Sequence, residues 1–123
     1  MCSSDLGLLR LTLAHGANVH FTDSYNGTAL IRAAHHGHIE VIAELLKTGI
    51  KVDHVNRLGW TALLEAIILG DGGPRHTETL RLLIEARADV NIADRSGDTP
   101  LAVARRRGFS AMVRMLRTAG ARE

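Results

Sequence analysis

Three histidines in the run HHGH could bind a metal ion, because clustered imidazoles are common metal ligands. They are His35, His36 and His38. Consecutive residues diverge around a helix, and no cysteine or acidic ligand stands at a matching spacing. The histidines are therefore better explained without a metal, and we expect no cofactor.

The run GDGGP, residues 70–74, has the glycine content of a phosphate-binding loop. Such a loop follows a strand and leads into a lysine beside a serine or threonine, and this run has neither feature. We interpret it as a flexible bulge between two helices. A partner contact by Asp71 and Arg75 stays open as an alternative.

Catalytic chemistry is not indicated anywhere in the chain. The one cysteine, Cys2, lies in a head segment without pattern, where a thiol has no fixed environment. No Ser/His/Asp or Cys/His set stands out. The sequence therefore predicts that the protein is not an enzyme. A single cysteine also cannot form an internal disulfide, which favours a reducing compartment.

The run Arg105, Arg106 and Arg107 is a cluster of positive charge in a chain whose 15 basic and 13 acidic residues nearly balance. It falls at the end of a predicted helix, where cations favour the negative end of the dipole. With Arg114 and Arg117 nearby, a contact with nucleic acid or an acidic partner is the lesser alternative. Aromatic residues make up only 3% of the chain. The chain therefore has few aromatic side chains that could stack on bases, and nucleic acid binding is not expected.

Length and composition indicate a folded chain. The 123 residues allow one domain or one short array, and 46% hydrophobic content is typical of folded soluble proteins. No run approaches the roughly 18 apolar residues that a membrane span needs. The head, residues 1–7, has no basic start followed by an apolar stretch, as a secretion signal would. We expect a cytoplasmic protein, or a periplasmic one if a longer parent chain carries a signal.

An internal repeat sets the positions of all these side chains. Similar segments begin at Thr28, Thr61 and Thr99. The first two threonines are 33 residues apart and the last two are 38 apart, and the second spacing becomes 33 if the five residues 71–75 are an insertion. A fixed period of this length indicates stacked supersecondary units.

Each unit has the pattern of two antiparallel helices joined by turns. The threonine suits the N-cap of the first helix, and Pro100 suits a first helical position. The second helix has apolar residues at helical spacing, and the segments HVNRLG and IADRSG favour tight, finger-like turns. A left-handed Arg87 would cost roughly 1 kcal/mol. Left-handed reversals are expected after the first helices, at Gly37, Gly70 and Gly108. Further chain reversals are expected after the second helices, at Gly16, Gly49 and Gly120, and Arg87 occupies the same place in its unit.

These residues resemble the ankyrin repeat family through the sub-motifs GHIEV, LLKTG, GANVH, RADVN and GDTPLAVA. The resemblance runs from about residue 8 to residue 120 and implies an all-α solenoid of stacked helix–turn–helix units with hairpin-like finger loops. The family's usual histidine is replaced by Ile31, Leu64 and Ala102, so the hydrogen bonds that it supports are not expected. The implied units are a head at 1–7, the second half of a truncated repeat at 8–25, a repeat at 26–58, a repeat with the insertion 71–75 at 59–96, and a capping repeat at 97–123.

The chain starts partway through a unit, which leaves an apolar helix face uncovered. We expect it to be the C-terminal fragment of a longer protein whose residues 1–7 are a foreign start. A full gene with no coding sequence upstream of Met1 would contradict this expectation.

The resemblance implies a non-catalytic, monomeric module that binds a protein partner through its finger tips and the concave face of its first helices. Trp, Tyr and Arg dominate protein interfaces, but Trp60 could equally pack between adjacent fingers. Arg32 and Glu65 occupy equivalent positions and could pair. The alternative is an accessory array in a larger protein whose missing region carries an enzymatic or membrane-associated activity. The predicted partner-binding residues are Tyr25, Arg32, His35, His36, Arg57, Leu58, Trp60, Glu65, Arg95 and Asp98.

Overall fold

The structure, a computed structural model, describes residues 28–123, and six helices form this part of the chain. The head, the truncated repeat at 8–25 and the reversal expected at Gly16 lie outside the described residues. The helices are α1 Ala29–His36, α2 Ile39–Leu46, α3 Ala62–Ile68, α4 Pro74–Glu85, α5 Pro100–Arg106 and α6 Ser110–Thr118.

The helices form two layers. The hairpins α1–α2, α3–α4 and α5–α6 stack side by side, so that α1, α3 and α5 form an inner layer and α2, α4 and α6 an outer one. Each helix contacts the equivalent helix of the neighbouring hairpin, and α1 does not reach α5. This arrangement confirms the predicted all-α repeat solenoid. In the described part of the chain, no helix is both long and apolar enough to cross a membrane.

The three repeat threonines have the same structural role. Each has an extended backbone and caps an inner helix, with its side-chain oxygen accepting the N–H three residues later: Thr28 from Ile31 at 3.3 Å, Thr61 from Leu64 at 3.2 Å and Thr99 from Ala102 at 3.2 Å. Two of these partners, Ile31 and Leu64, are buried. Apolar packing therefore replaces the histidine that the family usually has there.

The core repeats with the same period as the sequence. Leucines at equivalent inner-helix positions, Leu30, Leu63 and Leu101, are buried. One turn further along, each inner helix has a buried alanine, and this small side chain allows neighbouring helices to approach closely: Ala33, Ala66 and Ala104. The outer helices contribute a matching buried row, Leu45, Leu83 and Leu116. The stack therefore shares one continuous core.

Most of the predicted left-handed reversals occur, and one does not. Positive φ angles are found at Gly37, Gly49, Gly108 and Gly120, and Arg87 has a φ of 67°. The prediction was wrong for Gly70, which is not left-handed: the inserted residues follow it, and the left-handed glycine of this connection is Gly72, with a φ of 73°. Gly70 is needed for space instead. A Cβ atom there would lie 2.3 Å from the backbone oxygen of Ala66.

The insertion is part loop and part helix: residues 71–73 lie in the loop between α3 and α4, where the sequence predicted a bulge. Pro74 and Arg75 begin α4 and lengthen it to 12 residues, whereas α2 has 8. The remaining loop is closed by two hydrogen bonds of 2.8 Å, from the Gly73 N–H to Asp71 Oδ1 and from Thr77 Oγ1 to the Gly73 carbonyl. The Gly73 N–H also lowers the pKa of Asp71.

The insertion contacts the repeats on both of its sides. Toward α1, Arg75 lies beside Gly37, where a Cβ atom would come within 3.2 Å of Arg75 Cβ. His76, the residue after the insertion, has its Nε2 2.9 Å from the carbonyl oxygen of His35. Toward the last repeat, Gly72 lies under the ring of Phe109, where a Cβ atom would come within 2.5 Å of Phe109 Cδ1. The inserted loop thus links three consecutive repeats.

This packing predicts that alanine is more destabilising at Gly72 than at Gly49, although the two glycines have similar backbone conformations. Gly72 has a φ of 73° and Gly49 a φ of 76°, but a Cβ atom at Gly49 would meet nothing within 4 Å. Gly49→Ala should cost about 1 kcal/mol of unfolding free energy from backbone strain alone. Gly72→Ala should cost about 1–3 kcal/mol more because the methyl group displaces Phe109. Urea unfolding of both variants measures this difference, and equal losses would contradict the packing described.

Candidate functional site

Two finger turns connect the hairpins, and one side chain organises each of them. In the first finger, Asn56 Oδ1 accepts the N–H groups of Leu58 at 2.9 Å and Trp60 at 3.1 Å. In the second, Asp94 Oδ1 accepts those of Ser96 and Asp98, both at 2.9 Å. A short polar side chain thereby replaces a β-ladder as the support of each turn.

The glycine in each finger also has the conformation that its turn requires. Gly59 and Gly97 both have a φ of 83°. The N–H of Gly59 donates to the Asn56 carbonyl, and that of Gly97 to the Asp94 carbonyl, each at 3.0 Å. The two fingers are therefore rigid supports for the side chains at their tips, as the sequence segments predicted.

The first finger tip exposes apolar side chains beside a cation. Val55 is 41% exposed and Leu58 is 47% exposed, and Arg57 between them is also exposed. Trp60, at the base of the same finger, is half-buried. Exposed aliphatic groups next to a guanidinium can contribute both apolar contact and charged hydrogen bonds to a protein ligand.

The second finger tip supports the first. Arg95 is exposed but runs along the first finger, so that a Cβ atom on Gly59 would come within 2.5 Å of Arg95 Cγ. Asp98 is half-buried and pairs with Arg106 at 3.3 Å. Tyr25, the predicted anchor on the preceding finger, lies outside the described residues.

Glu65 was predicted to face outward, and its burial corrects that prediction. It is only 4% exposed. Its helix is the middle one of the inner layer, and the first finger covers it: Asn56 Nδ2 donates to Glu65 Oε2 at 3.2 Å. His35 Nδ1 lies 3.6 Å from Glu65 Oε1. The carboxylate of Glu65 therefore lies beneath the finger, where it contacts both the finger and α1, and it does not project from the surface.

Val103, at the equivalent position of α5, is buried as well and is 3% exposed. It packs into the core cluster with the other inner-helix residues. Only Arg32, the α1 member of this set, is exposed. The position lies on the inner face in all three helices, but its exposure depends on what covers it.

The histidines at the end of α1 form a stacked group on the same face. His35 and His36 are exposed and their rings stack with centroids 4.5 Å apart, while His36 and His38 lie 5.3 Å apart. Desolvation lowers the pKa of His36, and the neighbouring His35, Arg32 and His76 lower it further. Near neutral pH, His36 therefore offers a neutral ring. Within residues 28–123, no three His, Cys, Asp or Glu side chains are arranged to hold a metal.

The arginine run at the end of α5 does not form one patch. Arg106 pairs with Asp98. Arg107 donates to the carbonyl oxygens of Ile67, at 3.0 Å, and of Ile68, and its guanidinium lies 4.8 Å from the centre of the Phe109 ring. Arg107 therefore caps the C-terminal end of α3 in the neighbouring repeat. Arg105 and Arg106 lie in the last turn of α5, as the sequence predicted, so the run places positive charge at the C-terminal ends of both α5 and α3.

One exposed apolar residue was missed by the sequence reasoning. Leu69, which ends α3, is 42% exposed. Its repeat equivalents are His36 and Arg107, and both are exposed. Comparing exposed positions between repeats could therefore have revealed it. Leu69 adds a third aliphatic group to the exposed set on the inner side of the stack.

Comparisons with known proteins agree with this architecture. A family model described as "Ankyrin repeats (3 copies)" matches residues 1–94, and another described as "Ankyrin repeats (many copies)" matches residues 74–117. The putative ankyrin repeat protein YahD of Escherichia coli (strain K12) is 40% identical over 120 residues, which cover 97% of this chain and 60% of YahD.

Two solved structures are also similar. An ankyrin repeat domain from Acinetobacter baumannii AYE is 49% identical with a TM-score of 0.95, and the match covers 98% of this chain and 61% of that one. The ankyrin repeat protein EF0377 is 35% identical with a TM-score of 0.81, over 86% of this chain and 54% of its own. The chain thus spans about 60% of the length of YahD and of the Acinetobacter domain.

The contact between Asn56 and Glu65 predicts that a carboxylate at position 56 destabilises the protein. Asn56→Asp should keep the turn, because Asp94 makes the same turn bonds, but it places a second carboxylate against a buried one. We expect a loss of about 1–3 kcal/mol of unfolding free energy at neutral pH.

Adding Glu65→Gln to Asn56→Asp should restore most of that loss, since the new amide can donate to the new carboxylate. Urea unfolding of the two single variants and the double variant gives the coupling free energy. Additive losses would contradict the described contact.

Proposed function

The chain belongs to the ankyrin repeat family, and we propose that it is a non-catalytic module that binds a protein partner through its finger tips and the adjoining inner-helix face. Ankyrin repeats are generally protein–protein interaction modules, and their fold is generally non-catalytic. The finer assignment of this surface to a partner is our proposal.

The observation that carries the proposal is the first finger tip. Val55 and Leu58 are exposed large apolar side chains, and they flank the exposed Arg57. Folding alone does not require these groups to face water. The hydrogen bonds to Asn56 already fix the backbone of the turn, so less of it has to be ordered on binding. Apolar groups on a preorganised turn are suited to the centre of a small interface.

The proposed surface extends from this tip along the inner layer. Glu65 is buried and supports this surface indirectly, because its hydrogen bond with Asn56 fixes the finger to α3. Trp60 is half-buried, which suits a side chain that both packs within the finger and offers one edge to a partner. The exposed and half-buried predicted residues in this set are Arg32, His35, His36, Arg57, Leu58, Trp60, Arg95 and Asp98.

We also propose that the module works as a monomer in a reducing compartment such as the cytoplasm. The argument for the compartment is the single cysteine in the sequence. Among the described residues, the interaction surface needs no second copy to complete it, because both fingers come from one chain.

Site-specific crosslinking in cells of the source organism tests the proposed surface. A photo-crosslinking amino acid at Leu58 should capture a protein, whereas the same amino acid at the exposed Lys47, which follows α2 in the outer layer, should not. Arg57→Ala with Leu58→Ala should then weaken binding of the captured protein by at least about tenfold.

The same double variant should change the unfolding free energy by less than about 0.5 kcal/mol, because both side chains are exposed. Equal capture from Lys47, or unchanged affinity of the double variant, would contradict the proposed site.

A further inference from the structure

Positive charge is concentrated in the last repeat. Residues 100–123 contain six arginines and one glutamate, whereas residues 1–99 contain nine basic and twelve acidic residues. The near balance of the whole chain therefore hides a strongly basic C-terminal unit beside a mildly acidic remainder.

Part of this charge is used inside the stack and part of it is not. Arg107 caps α3, and Arg106 pairs with Asp98. Arg114 and Arg117, on α6, are exposed and form no ion pair within residues 28–123. Arg105 pairs with Glu123, the last residue of the sequence given. Two arginines that form no ion pair with a described residue, Arg114 and Arg117, thus lie on α6, in the outer layer of the last repeat.

Two recesses meet on this outer side. One, of about 300 Å³, lies where α5 leads into α6 and is lined by Arg105, Gly108, Ser110, Val113 and Arg114. It combines two guanidinium groups with a hydroxyl. The groups present are therefore those that bind carboxylates.

The second recess is a groove of about 290 Å³ between α4 and α6. It is lined by Ile84 and Met115, with Arg81, Glu85, Arg114 and Thr118 around them. Arg81 is already engaged by Glu78 and Glu85. The floor of this groove is therefore apolar. A methionine there can adapt to ligands of different shape.

Arg114 borders both recesses. An apolar groove and a cationic recess consequently lie side by side on one helix, with a single exposed guanidinium between them. The contact of Arg105 with Glu123 adds a second observation, because a carboxylate already occupies the rim of the cationic recess.

We propose that this outer face of the last repeat is a second docking surface, which binds an acidic segment of a partner protein with a large apolar side chain. The apolar side chain enters the groove between Ile84 and Met115. Neighbouring carboxylates bind Arg114 and Arg105, and the Arg105 contact displaces Glu123. This surface lies on α4, α6 and the C-terminal end of α5 and is separate from the finger tips.

The composition of the face favours an acidic protein segment over nucleic acid. Phe109 is the one aromatic residue in 100–123. It is engaged by Arg107 and packs over Gly72, so it cannot stack on a base. A groove lined by aliphatic side chains beside arginines matches an apolar group flanked by carboxylates.

Titration with a defined probe tests the proposal. The probe is a short fluorescent peptide in which glutamates flank one leucine, and anisotropy at low ionic strength measures its affinity for the full chain. We expect binding that weakens with salt and that is lost when serine replaces the leucine of the probe. Arg105→Ala and Arg114→Ala should each weaken binding by about fivefold, whereas Glu123→Gln should strengthen it about twofold.

Lys47→Ala and Lys51→Ala are matched controls, since they remove exposed cations outside the last repeat. They should leave peptide affinity unchanged, which shows that the loss is specific to Arg105 and Arg114. The proposal would be overturned by an absence of peptide binding, by equal losses in the two lysine variants, or by unchanged affinity of the Arg114→Ala chain. Tighter binding of a single-stranded oligonucleotide or of anionic lipid vesicles would also overturn it.

Discussion

The burial of apolar surface between neighbouring repeats is the constraint on which the rest of the molecule depends. A hairpin of two short helices cannot bury its own apolar face, so each hairpin is folded only against the next one. The inner layer meets this need with a leucine and an alanine at equivalent positions of every helix, as at Leu63 and Ala66. Because contacts extend only to adjacent repeats, both long faces of the array remain available for binding.

Features that follow from local chemistry could be predicted from the sequence. The threonine caps join residues three positions apart and occur as predicted. The repeat period can be counted directly from the sequence, and it placed Arg87 where a reversal is needed, which is where its backbone is left-handed. Burial of Glu65 could not be predicted, because the residue that covers it, Asn56, belongs to a finger whose position relative to α3 is set by stacking. The prediction of a left-handed Gly70 was wrong for a similar reason, since the insertion redirects the chain after α3.

The insertion illustrates how a departure from the repeat can strengthen contacts between units. Its loop contacts Phe109 of the last repeat, its Arg75 lies beside Gly37 at the end of α1, and it lengthens α4 by one turn. The fingers are held in a comparable way, because Arg95 of one finger lies across Gly59 of the other. Rigid fingers on one side and a basic, grooved face on the other would allow the module to contact two protein segments at once.

The central claim is that the repeats couple only to their neighbours. It is tested by double-mutant cycles among Leu30→Val, Leu63→Val and Leu101→Val, with unfolding free energies measured in urea. The adjacent pairs, Leu30 with Leu63 and Leu63 with Leu101, should couple by about 0.5 kcal/mol or more, while Leu30 with Leu101 should be additive within about 0.3–0.5 kcal/mol. Coupling between Leu30 and Leu101 as strong as that of the adjacent pairs would contradict the account.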